Sequence, residues 1–459
     1  NLSYVDFFRQ DIGYSGTSGV FRLAQRISPL LPVKWKTQNA DGTWTNTDWY
    51  AFGAVRNPVD VAYNSGFERR NTRVFNGIVN ASLNLITGLN LNGQYSVNYY
   101  SREINEFNPA MKQFYQDGSP SPNNAKAKSF VSKGQDNNVT QSLQTTLNFN
   151  RIFARKHDVA LLLGYSQEWE SLSPLSGSRK NILIDGVQML SSGTEDITNA
   201  GNEYAWALRS YFGRISYAFD SRYLFEANMR IDGTSRFSKE NRWGYFPSFS
   251  AGWNFSREQF MKWTDKILSS GKIRLSWGQL GNQNVGSYYP YLTPIERVEK
   301  SYPIGGINNV GFKQLSLGNY NIKWETIQML NFGIDLSFFN NRLTTTFEWY
   351  KKNNINALVR PVYPSLVGIT KVRNMPFENI GEVENKGWEW WIQWRDKIGE
   401  ISYSVAFNIS DSRNKIKNLG KSAPSLGDYI RKEGEPIDAF YGYLTDGLAQ
   451  INDFEGVDK

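Results

Sequence analysis

Segments of nine or more residues in which side-chain character alternates strictly with a period of two recur along this chain in adjacent pairs. From Tyr223 to Asp232, the side chains of Tyr223, Phe225, Ala227, Met229 and Ile231 fall on one face. Leu224, Glu226, Asn228, Arg230 and Asp232 fall on the other. That period belongs to a β-strand, because successive side chains of a pleated strand point to opposite faces. Soluble sheets show it too, but their strands average only about 5–6 residues. The alternation predicts that 74–84 pairs with 89–101, 139–150 with 159–170, and 211–219 with 223–232. It likewise pairs 330–338 with 343–349 and 388–394 with 401–409, each across a tight turn. Asn340 and Asn341 supply hairpin chemistry to one turn, and His157 sits in another beside Arg155 and Lys156. A further pair, 247–255 with 272–278, has a longer connection expected to hold a short helix over 259–266.

Between the pairs run long polar connections at about 102–136, 171–202, 233–244, 281–322 and 352–383. Long structureless loops count against a compact soluble domain. Short turns alternating with long loops are what an outer-membrane barrel shows, short on the periplasmic side and long outside. The mean hydropathy of −0.51 does not oppose this, since only alternate side chains of such a strand meet lipid. The longest clean apolar run, 159–165, is far short of the ~20 residues a membrane-spanning helix needs. Aromatic residues make up 15% of the chain, enough to furnish interface girdles. Tyr217, Phe219, Tyr223, Phe225, Trp253, Phe255, Phe338 and Trp394 gather near the short turns, and Tyr99, Trp169, Trp349 and Trp388 near the opposite strand ends.

Other classes are excluded on composition. The absence of cysteine removes disulfide scaffolds, thiolate metal sites and thiol nucleophiles. A Ser-His-Asp triad would have to be built on the single histidine, His157. The formal charge of +8 is spread, with 43 acidic residues among 51 basic ones and no basic block, so nucleic acid is not an expected partner. A soluble β-propeller would show repeats of about 40–45 residues, and none is visible. The expected fold is all-β: a transmembrane antiparallel β-barrel of which about twelve strands are counted here. Residues 1–69 are expected as an extracellular loop region, 70–410 as strands and loops of the barrel, and 411–459 as a further extracellular region.

Specific strings then become recognisable. RYLFEANMRIDGTSRFSKENRWGYFPSFSAGWNFSREQF (222–260), KIRLSWGQLGNQNVGSYYPYL (272–292), KWETIQMLNFGIDLSFFNNRL (323–343), NIGEVENKGWEW (379–390) and EGEPIDAFYGYLTDGLAQ (433–450) follow one another in order. In these strings the chain resembles the SusC/RagA family of TonB-linked outer-membrane transporters, and the resemblance covers about 27–450. It implies a barrel of roughly 22 strands with a plugged lumen, a TonB box coupling to the inner membrane, and a SusD-like surface lipoprotein as lid. It implies energised import of oligosaccharides or oligopeptides across the outer membrane of a Gram-negative, Bacteroidetes-like cell. The TonB box, plug and closing strands are expected to lie outside this chain. A siderophore or cobalamin-type receptor shares the architecture without the lid.

Several groups are candidate sites. Alternation turns Arg230 and Asp232 to the lumen side, with Arg236 nearby. They either contact plug or substrate, or form a salt-bridged network shaping the strand end, and the second reading is the more economical. Trp35, Trp44, Trp49, Tyr288, Tyr289 and Tyr291 are loop aromatics able to stack on sugar rings, to meet a lid, or simply to pack their own loops. Asn452, Asp453, Glu455 and Asp458 could touch Ca²⁺, but they lack the spacing of a calcium loop, so no cofactor is expected. The side chains expected to meet membrane lipid are Phe225, Ala227, Met229, Ile334, Leu336, Leu343, Phe347, Val405 and Phe407.

Overall fold

The computed structural model describes residues 2–12, 16–51, 56–121, 128–184, 186–314, 316–361, 375–420, 424–445 and 447–448. In chain order the strands are β1 (Leu2–Ile12), β2 (Lys34–Gln38), β3 (Trp44–Tyr50), β4 (Phe67–Ile86), β5 (Leu89–Asn108), β6 (Phe130–Phe153), β7 (His157–Ile182), β8 (Gly193–Gly201) and β9 (Tyr204–Phe219). They continue as β10 (Tyr223–Thr234), β11 (Trp243–Trp253), β12 (Leu268–Asn282), β13 (Ile295–Ile304), β14 (Ile307–Gln314), β15 (Glu325–Phe338), β16 (Leu343–Val359), β17 (Glu378–Ile398) and β18 (Ile401–Asn418). Two helices, α1 (Gly16–Arg26) and α2 (Pro58–Asn64), stand between β1 and β4. The main sheet has 14 strands in the order β1-β4-β5-β6-β7-β9-β10-β11-β12-β15-β16-β17-β18, with β8 beside β7. Along that path the strands follow one another in chain order, as expected of hairpin-built barrel strands.

The chain divides into two compact units. One comprises 1–81, 94–143 and 168–206; the other comprises 82–93, 144–167 and 207–459. In the first, a scaffold of loops is built on buried polar groups. Asn57 caps α2 by accepting from the Val59 amide, and its own amide donates to the carbonyl of Val33 at 3.0 Å. Asp60 accepts from Gln113 at 2.6 Å and from Asn64 at 2.9 Å, while Leu23, Val61 and Met111 form a small core beside them.

In the second unit the registers show how alternation becomes two chemically distinct faces. Phe225 lies opposite Ala251, Ala251 opposite Leu275, Leu275 opposite Phe332, and Phe332 opposite Trp349. Ile334 faces Ile273 and Phe347. Leu336 faces Thr345, and Leu343 faces Phe338 and Trp394. Val405 and Phe407 face Trp394 and Ile392. With Ala227 and Met229 opposite Phe249 and Pro247, all the residues expected to meet lipid share the apolar face. Phe225, Met229, Phe347, Val405 and Phe407 are exposed there, as side chains that face acyl chains must be. On β10 the stretch from Tyr223 up to the aromatic level of Ile231, which pairs with Tyr211 and Tyr245, is about 27 Å along the strand at about 3.4 Å per residue, or roughly 21 Å in height at a strand tilt of about 40°. An outer-membrane apolar band is about 25 Å tall.

Several expectations are corrected. Residues 2–12, assigned to a loop, are strand β1, paired with β4 from Leu2↔Gly77 to Ile12↔Phe67. Leu2, Tyr4 and Phe8 share one face with Asp6, and Val5 and Phe7 share the other with Arg9, so no period-two contrast shows. Residues 171–202 are not one loop, since β7 reaches Ile182 and pairs with β8. Beyond the lipid zone neither face must be apolar, so a strand continues on ladder hydrogen bonds with no hydropathy signal. The same holds at 281–322, which contains the β13–β14 hairpin. Because strands overrun the apolar band, Tyr99, Trp169, Trp349 and Trp388 stand within strands rather than at their ends. The short helix is a 3₁₀ segment, Gln259–Thr264. His157 opens β7 half-buried, its Nδ1 2.8 Å from the Tyr217 hydroxyl, and is not a free turn residue. The β15–β16 turn is as expected, with Asn340 and Asn341 in the left-handed region at φ 57° and 64°.

Candidate functional site

The face opposite the apolar belt in the second unit is polar. Ser216 pairs with Glu226, Glu226 with Ser250, Ser250 with Ser276, and Ser276 with Asn331. At its centre the Arg274 guanidinium donates from Nε to Asp335 Oδ2 at 2.7 Å. Its Nη2 donates to Asp335 Oδ1 at 3.0 Å and to Glu348 Oε1 at 2.8 Å. Thr346 donates to Asp335 at 3.1 Å and Asn331 to Glu348 at 3.2 Å, so this knot ties β12, β15 and β16 together. A planar guanidinium forked onto two carboxylates holds both in fixed positions.

A groove of about 800 Å³ runs over this face, lined by Arg230, Asp232, Arg274, Glu348 and Lys352. Its lining becomes apolar at Phe246, Leu280, Ile327 and Met329. Phe246 belongs to a buried cluster with Phe237, Val285, Ile322 and Trp324, which closes the long-loop end of β11, β12 and β15. A Cβ on Gly281 would come 2.1 Å from the Phe246 ring, so that ring needs a glycine beneath it. Trp324 meets the rings of Phe246 and Phe237 edge-on, at 5.4 and 5.7 Å.

The expected site residues fall into separate places. Arg230 donates to Asp232 Oδ2 at 2.9 Å and to Ser210 at 2.8 Å, and Asp232 is buried, so this pair forms a network at the strand end that also borders the groove. Arg236 donates to the Ser287 carbonyl at 2.8 Å and lies 5.1 Å from the centre of the Tyr288 ring, which sits 6.4 Å from that of Tyr289. Tyr291 packs against the buried cluster instead. Trp44 and Trp49 belong to the other unit. Trp44 is exposed, Trp49 packs on Phe114 at 5.7 Å, and Trp35 donates to the Phe114 carbonyl at 2.7 Å. Residues 452–458, weighed for Ca²⁺, lie outside the described residues. Among the described residues no three or more carboxylate or imidazole groups gather as metal ligands.

The Arg274–Asp335–Glu348 knot escaped the residue-by-residue search, although alternation within 272–278 already turns Lys272, Arg274 and Ser276 to one face. On the short-turn side, buried Glu258 accepts from Tyr223 at 2.6 Å, Trp253 at 3.2 Å and Arg222 at 3.2 Å. The Tyr223 hydroxyl first, then the Trp253 indole, hold its carboxyl below the usual carboxylate range. In the outer loops the Tyr320 hydroxyl does the same to Glu240.

Residues 4–443 match the family described as TonB dependent receptor-like, beta-barrel. The chain is 29% identical over 457 residues to TonB-dependent receptor P3 of Formosa agariphila, covering 96% of this chain and 43% of that protein. It is 37% identical over 234 residues to TonB-dependent receptor SusC of Bacteroides thetaiotaomicron, covering 50% of this chain and 22% of that protein. A RagAB peptide transporter structure superposes with a TM-score of 0.73 at 20% identity, over 87% of this chain and 43% of that one, a likeness of fold alone. The chain spans less than half the length of these relatives. By the family match across most of its residues, and by an apolar belt backed by a polar face, the chain belongs to the TonB-dependent receptor β-barrel family of the SusC/RagA kind, in the outer membrane.

Proposed function

We propose that the full-length protein imports oligosaccharides or oligopeptides across the outer membrane, energised through TonB and working beneath a SusD-like surface lipoprotein. The observation that carries this reading is the polar groove behind the apolar belt, in which Arg274, anchored on Asp335, holds Glu348 in place while apolar side chains line the end nearest the long loops. Such a mixed lining suits an oligomer rich in hydrogen-bonding groups. The relatives point the same way: one is a TonB-dependent receptor named SusC, and one solved structure is a peptide transporter. A barrel has no energy source of its own, so uptake against a gradient needs the TonB coupling its relatives are named for. On this reading the protein is a transporter and not a hydrolase. Its one histidine is engaged by Tyr217 on the short-turn side.

The long outer connections suit a protein lid. They carry Tyr288 and Tyr289 beside the β13–β14 hairpin, whose Ile295, Ile307 and Phe312 are exposed. Exposed apolar side chains gathered on a polar surface mark an interaction face. The test is to delete the gene and to isolate the tagged full-length protein from native membranes. Growth on particular oligosaccharides or oligopeptides should fail, and a surface lipoprotein should copurify, less so when the β13–β14 hairpin is removed. Isolation as a lone monomer, with a growth defect cured by iron, would instead assign a siderophore-type receptor.

A further inference from the structure

We propose that the apolar face of the second unit carries, at its outer edge, a site for the phosphate of an anionic glycolipid headgroup in the outer leaflet. The proposal rests on the membrane placement of the strands and is independent of what the protein imports. Trp349 and Trp388 pair across β16 and β17 and mark the interface level on the lipid side, where indole rings settle. The next outward-facing row, about 7 Å higher along the strands, aligns Lys351 with Lys386 and Lys386 with Arg413. One row higher, Lys415 pairs with Glu384. Cations therefore replace apolar residues on this face directly above the aromatic row, at the depth where lipid headgroups lie.

The cluster keeps positive charge in reserve. Glu384 is buried and bridges Lys351 at 3.1 Å and Lys386 at 2.9 Å, while Arg413 Nε lies 3.1 Å from Asp411. Four cations thus stand against two carboxylates. With Nε directed to Asp411, the terminal nitrogens of Arg413 can take a phosphate as a fork takes two oxygens. Between these groups lies a cavity of about 650 Å³ floored by Trp349 and Trp388 and bounded by Lys386, Arg413, Lys415 and the Gly434–Pro436 stretch. Gly434 donates to the Ile416 carbonyl at 2.9 Å, and Ile416 donates to the Glu435 carbonyl at 2.9 Å, so the loop wall is hydrogen-bonded to β18. Isolated interface lysines that merely snorkel would show neither a shared cavity nor a fixed carboxylate between them.

The test compares the full-length protein with its K386Q/R413Q/K415Q variant, both reconstituted in nanodiscs of zwitterionic lipid doped with a phosphorylated glycolipid. Retained glycolipid is counted by native mass spectrometry. The variant should retain about a hundredfold less, since three interface cations are removed and each contributes about fivefold in preference for anionic lipid. Lys397→Gln, near the short-turn end of β17, should change nothing. Heat-modifiable mobility reports whether the variant is folded. Should it misfold, the wild-type protein alone decides, because it should select the phosphorylated glycolipid over its dephosphorylated form and keep it in excess inorganic phosphate. Equal retention of the two forms, or full retention by a folded variant, would overturn the proposal by reducing the cluster to general anchoring. Displacement by inorganic phosphate would overturn it in favour of a free-anion site.

Discussion

Replacing Ile334 by arginine should be among the most damaging single changes in the second unit, for a reason that depends on which way the side chain points. Ile334 lies on the apolar face, between Phe338 at the short-turn end of β15 and Phe332 in register with Trp349. Its cross-strand neighbours are Ile273 and Phe347. An arginine on the lipid face costs about 2–4 kcal/mol near the bilayer midplane. Losing the two apolar cross-strand pairs adds roughly 0.2–1 kcal/mol each. A total of about 4 kcal/mol is about a thousandfold in the folded-to-unfolded ratio. Ser337→Lys is the control, on the opposite face against Thr344. A half-exposed position there should tolerate the charge within about 0.5 kcal/mol. Guanidinium titrations of the full-length protein in lipid vesicles, followed by tryptophan fluorescence and gel mobility, measure both. A neutral I334R together with a damaging S337K would mean that the faces are exchanged throughout, since a one-residue slip inverts every side chain.

Gly281→Ala should destabilise by about 1–3 kcal/mol through overpacking against the Phe246 ring, read as a lower denaturation midpoint at unchanged slope. Glu258 has its folded pKa depressed by Tyr223, Trp253 and Arg222, so its stabilising contribution is complete above the unfolded carboxylate value of about 4.3. That contribution is lost as pH falls through the lower folded value. Wild type should therefore lose more stability than Glu258→Gln as pH falls from the unfolded value through the folded one, and parallel curves over that interval would refute the assignment. Cysteines placed at Ser287 and Lys262 should respectively accept and refuse a membrane-impermeant reagent on intact cells, and the reverse pattern would invert the topology.

How legible this was from sequence varied with what the bilayer demands. Strands β9, β10, β15, β16, β17 and β18 could be read because lipid forces their alternate residues, such as Phe225, Ile334 and Phe407, to be apolar. The outer halves of β7 and β16, and the whole of β8 and β13, carry no such demand. Ser-Leu-Ser-Pro at 171–174 forms strand through backbone pairing that no hydropathy pattern announces. In the site, alternation placed Arg230 and Asp232 on the polar face, but their partner Ser210 and the Arg274 knot required the cross-strand register. The loop aromatics were visible as residues only. Whether a ring packs inward like Tyr291 or stays exposed like Trp44 depends on what the loop folds against, and that is not a local property.

Accumulation of a labelled substrate, compared in isogenic cells with and without TonB, tests the account most directly. The substrate would be an oligosaccharide or oligopeptide whose utilisation is lost on deleting the gene, and both strains would hold equal amounts of the folded full-length protein in the outer membrane. The account predicts accumulation only where TonB is present and the proton-motive force is intact. Undiminished accumulation in the cells lacking TonB would contradict it and make the protein a passive pore.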